Sequence, residues 1–237
     1  VDLFCGIGGL TYGLQKAGID VVAGIDNDRT CGYAYKKNNG SKFINADLTK
    51  YGGDKINKLF DKNSIRILVG CAPCQPFSSH SFKNKNKVFD TRWSLIKYFG
   101  EIIEKTHPEI VSMENVRGIV KTNIFKIFLS VLVKNNYFID YKVVYAPNYG
   151  APQNRSRLIL LASRLGEIKI PGPSFTKENY ITVKDTIKKM QPLKAGETSK
   201  NDPLHKAKNL SNLNIQRIKQ SKPNGSWRDW NHNLLPD

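Results

Sequence analysis

Asp2-Leu3-Phe4-Cys5-Gly6-Ile7-Gly8-Gly9-Leu10 reads as the end of an apolar strand, a glycine-rich turn and the opening of a helix. Val1 to Phe4 supplies the apolar run. Leu10, Leu14 and Ala17 then recur at helical spacing until Gly18 stops the pattern. Glycines let a backbone take up positive φ and come close to a ligand. An acid about twenty residues later, at the end of the next strand, can bind ribose hydroxyls. Asp26 stands there, closing the apolar run Val21 to Ile25. The spacing departs from G-x-G-x-x-G, so a pyrophosphate-bearing dinucleotide is not favoured. A tight turn without a ligand stays open as an alternative, as do plain surface caps for Asp26 and Asp47.

Outward from this turn, strands and helices alternate. Lys42 to Ile44 leads to Asp47, and Ile65 to Val69 ends at Gly70. Leu95 to Ile103 is an amphipathic helix closed by His107-Pro108, and Ile110 to Met113 is a strand ending in Glu114. Phe125 to Val133 reads as a helix, Tyr141 to Tyr145 and Leu158 to Ala162 as strands. Such alternation predicts an α/β fold with a mostly parallel sheet covered by helices on both faces. Ligands then sit at the carboxyl ends of strands, where Asp26, Asp47, Cys74 and Glu114 fall. After Ser163 prolines, glycines, Asn and Lys become frequent, and helical periodicity survives only around Val183 to Met190. The expected organisation is a catalytic and cofactor-binding domain over 1–165, then a linker and the start of a smaller irregular domain over 166–237.

The net charge is +17, from 37 Lys and Arg against 20 Asp and Glu. A balance this basic favours a nucleic-acid partner, because neutralising phosphates releases counterions. A lysine-rich genome composition would also produce it. The four cysteines, Cys5, Cys31, Cys71 and Cys74, form no evenly spaced secreted framework. Reduced thiols in a cytoplasm are expected. No apolar run approaches a membrane span and no signal peptide is visible, so no membrane partner is expected.

Gly70-Cys71-Ala72-Pro73-Cys74-Gln75-Pro76-Phe77-Ser78 follows a buried strand. The Cys-x-x-Cys pair admits a redox centre. Half of a zinc site is disfavoured, since no second pair exists and the four histidines are scattered, and no metal is expected. The third reading makes Cys74 a nucleophile held between two prolines. Cys71, nearer the strand, reads as a small buried hydrophobe, as do Cys5 and Cys31.

These segments together resemble the C5-cytosine DNA methyltransferases. Pro73-Cys74-Gln75 resembles the family's Pro-Cys-Gln motif and Asp2 to Leu10 its first motif. Met113-Glu114-Asn115-Val116 is similar to its Glu-Asn-Val motif, and Gln153-Asn154-Arg155-Ser156-Arg157 to its Gln-x-Arg-x-Arg motif. Ile181-Thr182-Val183-Lys184-Asp185 resembles the segment before the family's target-recognition domain. The likeness covers Val1 to Asp185, with its motifs in the family's order. It implies a Rossmann-like, S-adenosylmethionine-dependent methyltransferase fold, double-stranded DNA as substrate and S-adenosyl-L-homocysteine as product. A bacterial restriction-modification or orphan enzyme is the implied setting.

The resemblance also implies roles. Cys74 attacks cytosine C6, Glu114 meets N3 and N4 of the base, and Arg155 and Arg157 hold the cysteine loop and the base. Their alternation puts both arginines on one face of a strand. Asn115 braces the cysteine loop. Phe4, Gly6, Ile7 and Gly9 cradle the cofactor. Asp26 takes its ribose with Asn27 beside the adenine, Asp47 reaches the adenine amino group with Leu48 nearby, and Pro73 and Leu95 line the pocket. Ser78, Ser79, Lys83, Lys85, Lys87 and Arg92 belong to a loop that closes on DNA. The target base must leave the stack to be reached.

The family's two last motifs do not occur before Asp237, so a further C-terminal segment or a second polypeptide is expected to complete the fold. Lys222-Pro223-Asn224-Gly225-Ser226-Trp227-Arg228 looks like an early recognition-domain segment. Three alternatives to DNA methylation are a transfer-RNA methyltransferase of the same family, a catalytically dead DNA-binding subunit and a thiol oxidoreductase. The second is disfavoured by the presence of Cys74, Glu114, Arg155 and Arg157.

Overall fold

The computed structural model describes residues 1–73, 93–223 and 225–235. The chain divides into two compact units, Val1–Thr186 and Ile187–Asp237. The first is built on seven strands: β1 (Asp2–Leu3), β2 (Ala23–Asp26), β3 (Lys42–Asn45), β4 (Ile67–Gly70), β5 (Ile110–Val116), β6 (Phe138–Tyr145) and β7 (Ser156–Ser163). They form one sheet in the order β3-β2-β1-β4-β5-β7-β6. The first five strands pair in parallel. β7 runs antiparallel to both neighbours, β5 and β6.

Flanking the sheet are α1 (Gly9–Lys16), α2 (Cys31–Asn38), α3 (Leu48–Tyr51), α4 (Gly53–Asn57), α5 (Trp93–Thr106) and α6 (Asn123–Lys134). In α5, Ile96, Phe99, Ile102 and Ile103 form a buried stripe at helical spacing. Phe125, Phe128 and Leu132 do the same in α6, which Thr122 caps by accepting from Phe125 N. Phe99 and Phe128 meet with ring centroids 5.4 Å apart and join the two stripes. β5 buries Val111, Met113 and Asn115 on one side and leaves Ser112 and Glu114 half-buried on the other. The core under the sheet runs from Leu3 and Leu68 through Met113 to Leu158 and Leu160.

Residues past β7 fold back on the sheet's β6 edge. Ile170 N donates to Asp140 Oδ2 at 2.7 Å, and Lys142 Nζ donates to the Ile170 carbonyl at 2.8 Å. Tyr180 OH donates to Asn148 Oδ1 at 2.6 Å. The second unit contains α8 (Asn212–Gln220), after α7 (Val183–Ile187) has crossed the boundary between units. Its buried residues, among those described, are Ser199 and Leu234. Arg217 gives it a focus, donating to the Leu234 carbonyl at 2.7 Å and lying 5.6 Å from the Trp230 ring. No helix among the described residues is long and apolar enough to cross a membrane.

Arg66 clamps the amino-terminal edge of the sheet. Its guanidinium meets Glu109 through Nη2–Oε1 at 2.8 Å and Nε–Oε2 at 3.1 Å. It also donates to the carbonyls of Thr106 and His107. Hydrogen bonding from Arg66 holds the Glu109 carboxyl down at about 2. Because this pKa is depressed on folding, its stabilisation is complete above the usual 4.5 and is lost as pH falls towards 2. Arg66→Ala should lose about 1–2 kcal/mol in urea unfolding at pH 7, chiefly through the two carbonyl hydrogen bonds and the screened ion pair. It should also flatten this acid limb, and an unchanged limb would show that Arg66 is not its source.

Candidate active site

The sheet order places β1, β4 and β5 side by side, so the residues after each emerge at one edge. The reversal of β7 brings its first residues, Ser156 and Arg157, to that same edge.

After β1 the backbone turns through positive φ at Phe4 (58°), Gly6 (52°) and Gly8 (88°) before α1 begins. Gly6 N donates to Asp26 Oδ2 at 2.8 Å, and Asp28 N donates to Asp26 Oδ1 at 2.8 Å. Asp26 is thus locked beside the turn, with a further lone pair on each oxygen. A Cβ at Gly8 would strike the Asn39 side chain and come within 2.7 Å of Tyr35, so only glycine fits. At Gly6 and Gly9 a Cβ would meet open space. Ile7 is 64% exposed and Asn27 is exposed. Asp47 caps α3 by accepting from Thr49 N at 2.9 Å and Thr49 Oγ1 at 2.8 Å. Those bonds lower its pKa. Asn45 Nδ2 donates to the Asp26 carbonyl and joins the ends of β2 and β3. Leu48 lies in the hydrophobic core, Leu95 is half-buried on α5 and Pro73 is exposed.

β4 ends at Gly70, where a Cβ would lie 3.1 Å from the Leu3 carbonyl oxygen. Cys71 N continues the pairing by donating to that carbonyl. Burial, then the nearby Glu114 carboxylate, pushes the Cys71 thiol up to about 12. The thiols of Cys5 and Cys31 are also raised, burial again coming first. A thiol must ionise to act as a nucleophile. Burial thus holds the three described cysteines toward the neutral thiol.

Cys74 lies outside the described residues, as do Ser78, Ser79, Lys83, Lys85, Lys87 and Arg92. What is described is the approach to it. Asn115, 2% exposed, donates from Nδ2 to the Ala72 carbonyl at 3.1 Å and accepts from Val116 N at 2.8 Å. β5 therefore holds the segment that leads into Cys74. In the β5–β7 ladder Glu114 opposes Ile159 and Val116 opposes Arg157, which makes Glu114 and Arg157 diagonal neighbours on one face. Arg157 Nε stands 3.0 Å from Glu114 Oε1, and Arg157 Nη1 donates to the Ser156 carbonyl. Desolvation, then the nearby Arg155 charge, lowers the Arg157 pKa. Arg155 precedes the strand with an exposed side chain, and its carbonyl accepts from Ala146 N at 2.8 Å.

A buried polar cluster behind the turn was not picked out from the sequence. Asp2 is fully buried and its Oδ2 accepts from Thr11 Oγ1 at 2.7 Å. Burial pushes the Asp2 carboxyl up to about 6. Tyr35, whose hydroxyl lies 3.2 Å from Thr11 Oγ1, and Asn39, which donates to the Tyr35 carbonyl, are also buried. The available signal was an acid inside the apolar run of β1, nine residues before a threonine on the buried side of α1.

A seven-stranded sheet of this order, with one reversed strand and a glycine turn after β1, defines an α/β methyltransferase fold. Residues 1–235 match the family model of the C-5 cytosine-specific DNA methylases, and the chain belongs to that family. It is 42% identical over 240 residues to the type II methylase M.HgiDII of Herpetosiphon aurantiacus, covering all of this chain and 67% of that protein. It is 29% identical to the type II methyltransferase M1.HphI of Haemophilus parahaemolyticus, covering all of this chain and 64% of that one. Among solved structures, a protein assigned as a DNA modification methyltransferase encoded within an E. coli prophage aligns with a TM-score of 0.67. That alignment has 25% identity and covers 83% of this chain and 56% of the other. The chain thus spans about two thirds of the length of these curated relatives.

Asn115→Ala would leave the Ala72 carbonyl without its side-chain partner. A loss of about 1–3 kcal/mol in unfolding free energy is expected, read from a urea titration. An unchanged midpoint would show that this bond does not hold the loop.

Proposed function

We propose that this chain carries the catalytic centre of a DNA (cytosine-5-)-methyltransferase, using S-adenosylmethionine as methyl donor and Cys74 as nucleophile. The observation that carries the reading is the edge at which Glu114 pairs with Arg157 while Asn115 holds the segment running into Cys74. Cytosine C5 is a poor nucleophile. Adding the Cys74 thiolate to C6 breaks the aromatic bond and makes C5 an enamine-like carbon. Glu114 faces N3 and N4 of the extruded base, and Arg157 fixes the direction of its carboxyl. To relieve charge at N3 the carboxyl must hold a proton when the sulfur adds. Arg155, exposed at the start of the same edge, serves the cysteine loop or the displaced phosphate.

S-Adenosylmethionine, when bound, supplies the electrophilic methyl group. The residues present fit it: open space at Gly6 and Gly9, the tethered Asp26 carboxylate for ribose hydroxyls, and exposed Asp47 for the adenine amino group. Ile7 and Asn27 complete the rim, with Phe4, Pro73 and Leu95 as apolar contacts. Leu48 acts from the core beneath Asp47. Loss of the C5 proton and expulsion of the sulfur finish the turnover. The segment beyond 165 is read as the approach to a target-recognition domain. Asn224, inside its Lys222–Arg228 motif, lies outside the described residues.

The test is trapping on duplex DNA containing 5-fluorocytosine, with the full-length protein and S-adenosylmethionine. The fluorine cannot be eliminated, so an adduct mapped to Cys74 is expected. Cys74→Ser should give none, and Glu114→Gln should lower the methyl-transfer rate about 10²- to 10⁴-fold. An adduct elsewhere, or transfer to transfer RNA in place of duplex DNA, would overturn the assignment.

Salt provides an independent check. If Lys83, Lys85, Lys87 and Arg92 each meet a phosphate, neutralising all four should reduce the slope of log K against log salt by roughly 3 to 4. An unaltered slope would remove this segment from the DNA interface.

A further inference from the structure

The glycine turn is backed by a row of hydroxyls that the proposed chemistry leaves unused. Thr11 Oγ1 donates to Asp2 Oδ2 at 2.7 Å and lies 3.2 Å from Tyr35 OH. Tyr35 OH lies 2.8 Å from Ser41 Oγ. An ionised carboxylate only accepts, so the Thr11 hydrogen is committed to Asp2. Thr11 oxygen then accepts from Tyr35, and Tyr35 oxygen accepts from Ser41. The row has one direction, Ser41 to Tyr35 to Thr11 to Asp2, and ties α2 and the approach to β3 to α1 and β1.

The ring of Tyr35 is fully buried against the turn. Its Cδ2 lies 2.7 Å from where a Cβ of Gly8 would stand, and its hydroxyl 2.5 Å from that of Gly24. Asn39 Nδ2 donates to the Tyr35 carbonyl at 3.0 Å. Asp2 Oδ1 and Asn39 Oδ1 are buried without a partner among the described residues. A buried polar cluster that is only partly satisfied is less stable than an apolar filling of the same space. It lies directly behind the turn between β1 and α1 that is read as the cofactor site.

We propose that the Ser41–Tyr35–Thr11–Asp2 row sets the shape of the cofactor turn, making Tyr35 and Thr11 positioning residues for S-adenosylmethionine. This rests on the reading of the turn as the cofactor site. The row touches neither the Glu114–Arg157 pair nor the Asn115–Ala72 bond, so it governs cofactor affinity and leaves the handling of the base alone.

The test uses the full-length protein, with S-adenosylmethionine binding followed by calorimetry and duplex DNA binding followed separately. Tyr35→Phe keeps the ring against Gly8 and Gly24 and removes the link. It removes the hydroxyl's bonds to both Thr11 and Ser41 and should weaken cofactor binding about five- to tenfold. The KM for cofactor should rise by the same factor, with kcat and DNA affinity unchanged. Thr11→Val should do the same, and Thr11→Ser, which keeps the hydroxyl, should restore binding. Unaltered cofactor affinity in both Tyr35→Phe and Thr11→Val overturns the proposal, as does a fall in kcat or DNA affinity at constant cofactor affinity. If the unsubstituted protein binds no S-adenosylmethionine, both this proposal and the cofactor reading fall. If it binds and the variants match it, the cofactor reading stands and this proposal alone fails.

Discussion

The site depends on the direction of one strand. β7 enters the sheet between β5 and β6 and runs against both. Had it run parallel, its first residues would lie at the Arg66 edge, and Arg157 would be the length of a strand from Glu114. The reversal lets two segments distant in sequence share a diagonal position on one face. A partly exposed ion pair of this kind adds little to stability. Its value is directional: Glu114 is half-buried, and a guanidinium against one oxygen fixes where the other end of the carboxylate can point.

Three of the four cysteines lie among the described residues. Cys5, Cys31 and Cys71 are all pushed toward the neutral thiol, chiefly by burial. For Cys71 the neighbouring carboxylate adds to the effect. Under the proposed function the reactive role falls to Cys74, three residues further along the sequence.

Much of this architecture was legible. The apolar runs named every strand of the sheet, and the acids at their ends, Asp26 and Glu114, lie at the carboxyl edge as expected. Boundaries were less so. The run Tyr141 to Tyr145 became Phe138–Tyr145, because pairing with β7 continues across Asp140 to the apolar pair Phe138-Ile139. Leu158 to Ala162 grew to Ser156–Ser163 for the same reason, which carried Arg157 into the ladder and left Arg155 just before it. Strand direction was beyond reach, since alternation carries no sign of which way a chain runs. The Asp2–Tyr35 row was also hidden. An acid in a strand ordinarily reads as exposed, and only the packed structure shows where a hydroxyl on another helix will land.

The Arg66–Glu109 clamp lies at the opposite end of the strands from Glu114, Asn115 and Asp26. The ion pair that ties the strand starts and the candidate site therefore occupy separate rims of a single sheet. A substitution at the Arg66 rim thus reaches the Glu114 rim only through the strands between them.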